Sequence, residues 1–207
     1  MKWVTAVAKT SRPIRHLCVK MLAPQLYQEF LGLTVPRGTI EAVKQKFGKQ
    51  PLVGAEIGVF RGHHAYNILR TLNVNPLYLI DPYTSYVDFF GYNPPDYLAD
   101  AFLEAKNRLT PHQGRVVWIH KPSCEAINSI SDNLDFVYID GNHNYEFVKN
   151  DISLYYPKVR SGGIMGGHDF EASCRGVVNA VTEFASVNDL TLQTKAPSDW
   201  WIEKGVE

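Results

Sequence analysis

From residue 52 onward the chain alternates short apolar runs with longer amphipathic stretches, and this rhythm restricts the fold more than any other feature. Runs at 52–59, 77–81, 115–120, 136–140 and 164–169 are largely apolar, as strands buried on both faces of a parallel sheet must be. Stretches at 64–72, 97–109, 123–130, 145–156 and 174–187 read as helices between and after them. Five strand–helix units predict an α/β fold, a Rossmann-like doubly wound sheet. Two more strands are expected at 191–195 and 200–203. Only residues 196–199 separate them, with Pro197 and Ser198 as turn formers, so the two must form an antiparallel hairpin. The expectation is seven strands, mostly parallel, with that hairpin at the C-terminal end.

Two of the runs end in a carboxylate. They are Phe136-Val137-Tyr138-Ile139-Asp140, followed by Gly141-Asn142-His143, and Gly162-Gly163-Ile164-Met165-Gly166-Gly167-His168-Asp169. One crossover helix between them makes the strands neighbours, so Asp140 and Asp169 emerge at the same carboxyl edge. Ligands of open α/β sheets bind there. One such aspartate is as readily a cap for the next helix or turn. Two at one rim, flanked by His143 and His168, point to a site that holds a metal or handles a proton.

Bulk properties narrow the partners. Lys plus Arg and Asp plus Glu each total 21, so the formal net charge is zero and nucleic-acid binding is not indicated. Cys18, Cys124 and Cys174 have neither metal-ligand spacing nor a disulfide framework, which favours a reducing compartment. Residues 1–8 are mildly apolar but stop at Lys9, too short for a secretory signal, and no run reaches membrane-span length. A cytoplasmic protein without nucleic-acid or membrane partners is expected. Residues 1–38 read as an N-terminal extension. There Leu17, Met21, Leu22, Leu26, Phe30 and Leu31 form a helical stripe broken by Pro24, suited to a lid or a homo-oligomer contact. The main domain then spans 39–207. Thr39 is expected to cap a short helix with Ile40, Val43 and Phe47 inward, and Gly48 to end it.

The first strand runs into Glu56-Ile57-Gly58-Val59-Phe60-Arg61-Gly62. Phe60 occupies the place of the second glycine of a dinucleotide fingerprint, and no Gly-Lys-Ser/Thr follows, so neither phosphate loop is present. The glycines still allow close backbone approach to a ligand, and Glu56 suits a cationic one. Asp81 ends the second strand 23 residues beyond Gly58, a spacing at which an acidic residue accepts ribose hydroxyls. A nucleoside-bearing, cationic cofactor without phosphate is implied. S-adenosylmethionine has these properties.

These segments, with Leu79-Ile80-Asp81-Pro82-Tyr83 and the stretch Tyr138 to Tyr145, resemble class I S-adenosylmethionine-dependent methyltransferases. The nearest resemblance is to methyltransferase family 24, related to macrocin-type and catechol-type O-methyltransferases, and it runs over roughly residues 52–203. It implies O-methylation of a small molecule or sugar. By the same resemblance Glu56, Gly58 and Gly62 line the methionine end of the cofactor, Asp81 holds the ribose, Ser123 contacts the adenine, and Asp140 also belongs to the cofactor site. Asp140 and Asp169 match two carboxylates that bind Mg²⁺ in metal-dependent relatives. His168 and Phe170 stand where those relatives add Asn, Asp or Glu; the expected metal set is Asp140 and Asp169 with His168, or His143, completing it, and Mg²⁺ or Mn²⁺ as the ion.

An acceptor hydroxyl must lose its proton, either to a divalent ion's influence or directly to His143, beside Asp140 and Asp169. His63 and His64 open a helix and are expected to be mostly solvated. Tyr83, Tyr86, Phe89, Phe90, Tyr92 and Tyr97 lie in or beside a long connection that can wall the small-molecule acceptor or simply pack onto the body. Two other readings stand beside the methyltransferase: an NAD-dependent oxidoreductase and a non-catalytic nucleoside-binding module.

Overall fold

A computed structural model describes residues 36–85, 87–88 and 91–205. The helical stripe expected before residue 32, with its lid or oligomer role, lies outside the described residues. So do Tyr86, Phe89 and Phe90 and the side chain of Tyr92.

In chain order the elements are α1 (Gly38–Phe47), β1 (Leu52–Ile57), α2 (His63–Thr71), β2 (Val74–Ile80), β3 (Val87–Asp88), β4 (Gly91–Tyr92) and α3 (Pro95–Leu109). There follow β5 (Val116–Ile119), α4 (Ser123–Ala126), β6 (Leu134–Ile139), α5 (Tyr145–Tyr155), β7 (Val159–Gly167), α6 (Arg175–Val187), β8 (Leu192–Lys195) and β9 (Asp199–Glu203). Seven strands form one sheet in the order β5-β2-β1-β6-β7-β9-β8. The first five are parallel, and β9 runs antiparallel to both β7 and β8. This is the architecture expected from the strand–helix rhythm and the short 196–199 connection. The long connection after β2 holds an antiparallel pair, β3–β4, beyond the seven strands expected from the sequence. The expected helix at 123–130 is only one α-turn followed by a 3-10 turn, Ile127–Ser129. Asn128, Ser129 and Ser131 favour local side-chain bonding over helix propagation.

Side chains alternate between two apolar layers, as the two-residue period of a strand demands. Ala55, Ile57, Val137, Ile139 and Met165 meet Val148, Ile152, Val177 and Val181 of α5 and α6. Leu52, Leu79, Phe136, Tyr138 and Ile164 meet Ile40, Val43 and Phe47 of α1 and Ala65, Ile68 and Leu69 of α2. Gly54 of β1 is opposite Phe136, whose ring fills the space a side chain at 54 would need. Among the described residues no helix is long and apolar enough to cross a membrane.

Helix α1 begins differently from the sequence expectation. Arg37 is the N-cap, without a capping side-chain bond. Thr39 is fully buried in the first turn and donates its hydroxyl to the Trp200 carbonyl at 2.9 Å. The first turn lies on β9, so the hydroxyl satisfies a strand carbonyl instead of its own helix. The Gly38 N–H completes the attachment by donating to Asp199 Oδ2 at 2.5 Å. Gly48 ends the helix as expected, in the left-handed region at φ 61°. Thr39→Val should therefore lower the unfolding free energy by about 1–3 kcal/mol, the scale of a buried hydrogen bond left unmade. Urea unfolding of the two proteins measures it, and an unchanged midpoint would contradict this account of the docking.

Candidate active site

The pairing of β6 with β7 places Ile139 beside Gly167, so the residues that leave these strands, Asp140 and His168, share the sheet's carboxyl edge. The ladder runs on past both strands: Asp140 N–H donates to Ile57 O at 2.8 Å and His168 N–H to Ile139 O at 3.1 Å. Asp169 then takes a left-handed conformation at φ 59°, a region that aspartate tolerates better than most side chains. His143 Nε2 lies 2.8 Å from Asp169 Oδ2, and His168 Nδ1 lies 3.1 Å from Asp169 Oδ1. Burial alone would raise the Asp169 carboxyl; the bonds to His143 and His168 outweigh it and hold the group well below the usual carboxylate range. Asp169 is therefore an ionised anchor for two imidazoles.

Asp140 has a different partner. Arg37 Nη1 donates to Asp140 Oδ2 at 2.6 Å and to the Tyr138 hydroxyl at 2.9 Å. The Tyr138 hydroxyl in turn donates to Asp199 Oδ1 at 3.1 Å. One ligand atom each from Asp140, His143 and Asp169 lies within 4.8 Å of the others. His168, expected in the metal set, instead turns its second nitrogen to Ser198 Oγ at 3.0 Å. The compact trio thus contains His143 in its place.

The glycine loop packs against both neighbouring strand ends. Gly58 has φ 85°, and a side chain there would meet the Asp140 carbonyl at 2.1 Å. Gly62 has φ 70° and faces Ala105 of α3 at 3.2 Å, so helix packing already accounts for that glycine. Asp81 Oδ2 accepts the N–H groups of Val59 (3.0 Å) and Phe60 (2.9 Å), and Oδ1 accepts that of Tyr83 (2.9 Å). Phe60 and Tyr83 both sit at φ 48°, an unfavourable region for large side chains, and the aspartate holds them there. A carboxylate offers about four acceptor positions, so Asp81 retains one for a ligand. Burial raises its carboxyl in spite of the three N–H groups.

Beneath this loop, Glu56 and His64 form a buried pair. Glu56 follows the face of β1 that carries Leu79 and Tyr138 as register neighbours, and α2 covers that face. His64 Nδ1 lies 2.9 Å from Glu56 Oε1, and its ring stacks on Tyr138 with centroids 4.0 Å apart. The expectation that His64 is solvated is overturned: it is 5% exposed. The penalty for a charged histidine at a helix start is avoided because burial pushes its ring well below the usual range, toward the neutral form. Burial, then Asp140 and Asp81, push Glu56 well above the usual range. Glu56 Oε2 and His64 Nε2 have no hydrogen-bond partner among the described residues.

Of the predicted aromatic wall, Tyr83 packs on Phe102 and His120, and Tyr97 on Phe60 and Arg61. For these two the packing role is the one observed. From the sequence, Arg37 and Asp199 carried no expectation, and Tyr138 and Ser198 were expected only in a strand and a turn. Arg37 meets a partner 103 positions away, and no local pattern marks such a contact.

Residues 55–170, more than half of the chain, match the family model described as a methyltransferase domain. A curated relative, uncharacterized protein R132 of Acanthamoeba polyphaga mimivirus, is 31% identical over 142 residues, 64% of this chain. The chain spans 58% of that relative's length. Among solved structures, the O-methyltransferase NovP aligns with a TM-score of 0.62 at 18% identity, over 80% of this chain and 79% of NovP. CalS11, a TDP-rhamnose 3'-O-methyltransferase of calicheamicin biosynthesis, aligns at 0.59 and 14%, over 98% of this chain and 91% of its own. TomG from Streptomyces achromogenes, an O-methyltransferase solved with S-adenosylmethionine, aligns at 0.58 and 14%, over 88% and 87%. At these identities the likeness is one of fold.

Ser123, expected at the adenine, opens α4, and its hydroxyl bonds to Asp151 of α5, while Tyr155 donates to the Ser123 carbonyl at 2.8 Å. Burial raises the Asp151 carboxyl to about 6, against the opposing Ser123 bond. A carboxyl raised on folding is best tolerated while protonated. Its contribution is fully present below the unfolded value, near 3.8, and is lost as pH rises through about 6. Asp151→Asn should thus gain stability relative to the parent chain by roughly 2–3 kcal/mol between pH 4 and pH 8, at 1.36 kcal/mol per unit. Urea unfolding at the two pH values measures the difference, and a difference independent of pH would contradict the raised carboxyl.

Proposed function

We propose that this chain, which belongs to the methyltransferase family whose domain model it matches over residues 55–170, transfers a methyl group from S-adenosylmethionine to a hydroxyl oxygen of a small molecule or sugar. The family membership displaces the oxidoreductase and non-catalytic readings. The observation that carries the proposed chemistry is the 2.8 Å contact of His143 with the ionised Asp169 at the sheet rim.

The residues suit the cofactor. Glu56 Oε2 is a buried acceptor without a partner among the described residues, and a cation seated there would draw its carboxyl back to the ionised form. Asp81 Oδ1 has room for one ribose hydroxyl after its bond to Tyr83. When bound, the cofactor supplies an electrophilic methyl on a sulfonium. What remains for the chain is to align the acceptor and remove its proton. With His143 Nε2 carrying its hydrogen toward Asp169, the basic lone pair is on the buried Nδ1, which takes the hydroxyl proton once the acceptor displaces the groups that cover it. Asp169 fixes the ring's tautomer and stabilises the imidazolium that results.

A divalent ion is the second reading, favoured by the closeness of ligand atoms from Asp140, His143 and Asp169. Two carboxylates and an imidazole are donors suited to Mg²⁺ or, better, Mn²⁺, and an ion held there would acidify the acceptor hydroxyl. The donors fit; the charge does not, because the Arg37 guanidinium already lies on Asp140.

Two measurements follow. Asp81→Ala should weaken S-adenosylhomocysteine binding by about 1–3 kcal/mol in calorimetry, as expected when a polar contact is lost. Unchanged affinity in the folded variant would remove the ribose assignment. With an acceptor identified by transfer of labelled methyl, His143→Ala should lower kcat by roughly 10²–10⁴, the range for a general base, while chelator leaves the parent enzyme active. Activity abolished by chelator and restored by Mn²⁺ would establish the metal reading instead.

A further inference from the structure

We propose that Arg37 takes the charge-compensating place of a divalent cation at Asp140, and that it acts as a positioning residue at the rim, delivered by the segment leading into α1. This rests on the methyltransferase reading of the site and names a residue which that reading did not require.

Three observations carry it. The first is contact. Arg37 Nη1 lies 2.6 Å from Asp140 Oδ2, with the guanidinium 5.7 Å from the Tyr138 ring centroid, and the two side chains are only 16% and 20% exposed. An ion pair this short and this sheltered is a strong charge-assisted bond, unlike a solvated surface pair. The second is charge. Asp169 is already met by His143 and His168, and Glu56 is pushed toward its neutral form, so Asp140 is the rim carboxylate for which Arg37 supplies the cation. A dication sharing Asp140 would stand within a few ångströms of a fixed positive charge.

The third is redundancy of attachment. Gly38 N–H on Asp199 and the Thr39 hydroxyl on Trp200 O already fasten the start of α1 to β9. Docking of the segment therefore does not need the guanidinium, which reaches across to the end of β6. Its placement is explained by what it does to Asp140. It fixes that carboxylate in place beside Gly58, and it leaves Asp169 to serve His143. The rim is thus complete only when residues 37–39 are seated.

The test is Mn²⁺ binding to the full chain, read from the electron paramagnetic resonance of free Mn²⁺, with S-adenosylhomocysteine calorimetry on the same samples. Arg37→Met should bind Mn²⁺ at least about tenfold more tightly than the parent chain, because a unit positive charge beside the site is gone. Arg37→Lys should keep the parent's weak binding. Adding Asp140→Asn to Arg37→Met should abolish the gain. The inference is overturned if the parent binds Mn²⁺ as tightly as Arg37→Met, or if Arg37→Met gains nothing while binding S-adenosylhomocysteine as the parent does. Should Arg37→Met not fold, Arg37→Gln carries the same comparison. A parent chain that fails to bind S-adenosylhomocysteine would count against the methyltransferase reading, whereas the Mn²⁺ comparison decides the role of Arg37 in either case.

Discussion

The parallel register between β1, β6 and β7 sets the position of every group at the rim. Ile57 faces Ile139, and Ile139 faces Gly167, so the three chains leave the sheet side by side. The next residues are Gly58, Asp140 and His168. The first two come so close that only a glycine fits at 58, with the Asp140 carbonyl where a side chain would be. A one-residue slip would turn the side chains of a strand to the opposite face and separate the two aspartates. The chemistry thus depends on the same hydrogen bonds that hold the sheet.

On this frame the site divides its charges. One aspartate faces a guanidinium and the other faces imidazoles, so each is held by a different kind of partner. Glu56 and His64, deeper in the same region, are driven by burial toward neutral forms and, among the described residues, keep one unpaired polar atom each. Unpaired buried polar atoms are costly in an apo protein, and binding a polar ligand removes the cost. Left-handed conformations at Phe60, Tyr83 and Asp169 cluster around the same edge. Strain of this sort persists where surrounding contacts over-determine it, and here Asp81 supplies two of the constraints directly.

Much of the fold could be read from the chain because its signals are local. Apolar runs such as 136–140 and the short 196–199 connection dictate strands and a hairpin without knowledge of neighbours. Asp140 and Asp169 were legible because each ends such a run. Arg37 was not, since nothing near Gly38 points to a carboxylate 103 positions later. His64 was misread because exposure was judged from the helix start alone, and Glu56 with Tyr138 forms its pocket from two other strands. Thr39 has the look of a cap, yet its hydroxyl is taken by β9. In each case tertiary contact overrode a local preference. Gly62 illustrates a milder version: it was expected where a backbone approaches a ligand, and it turns at φ 70° to pack on Ala105.

The central claim is that one edge of the sheet brings the cofactor's methyl group and the His143–Asp169 pair together. A crystal structure of the complex with S-adenosylhomocysteine tests it most directly. The account predicts a ribose hydroxyl on Asp81 Oδ1, the amino-acid end over Gly58 and Glu56, and the thioether sulfur facing the space bordered by His143. A cofactor bound with its sulfur turned away from His143, or bound at another edge of the sheet, would contradict it.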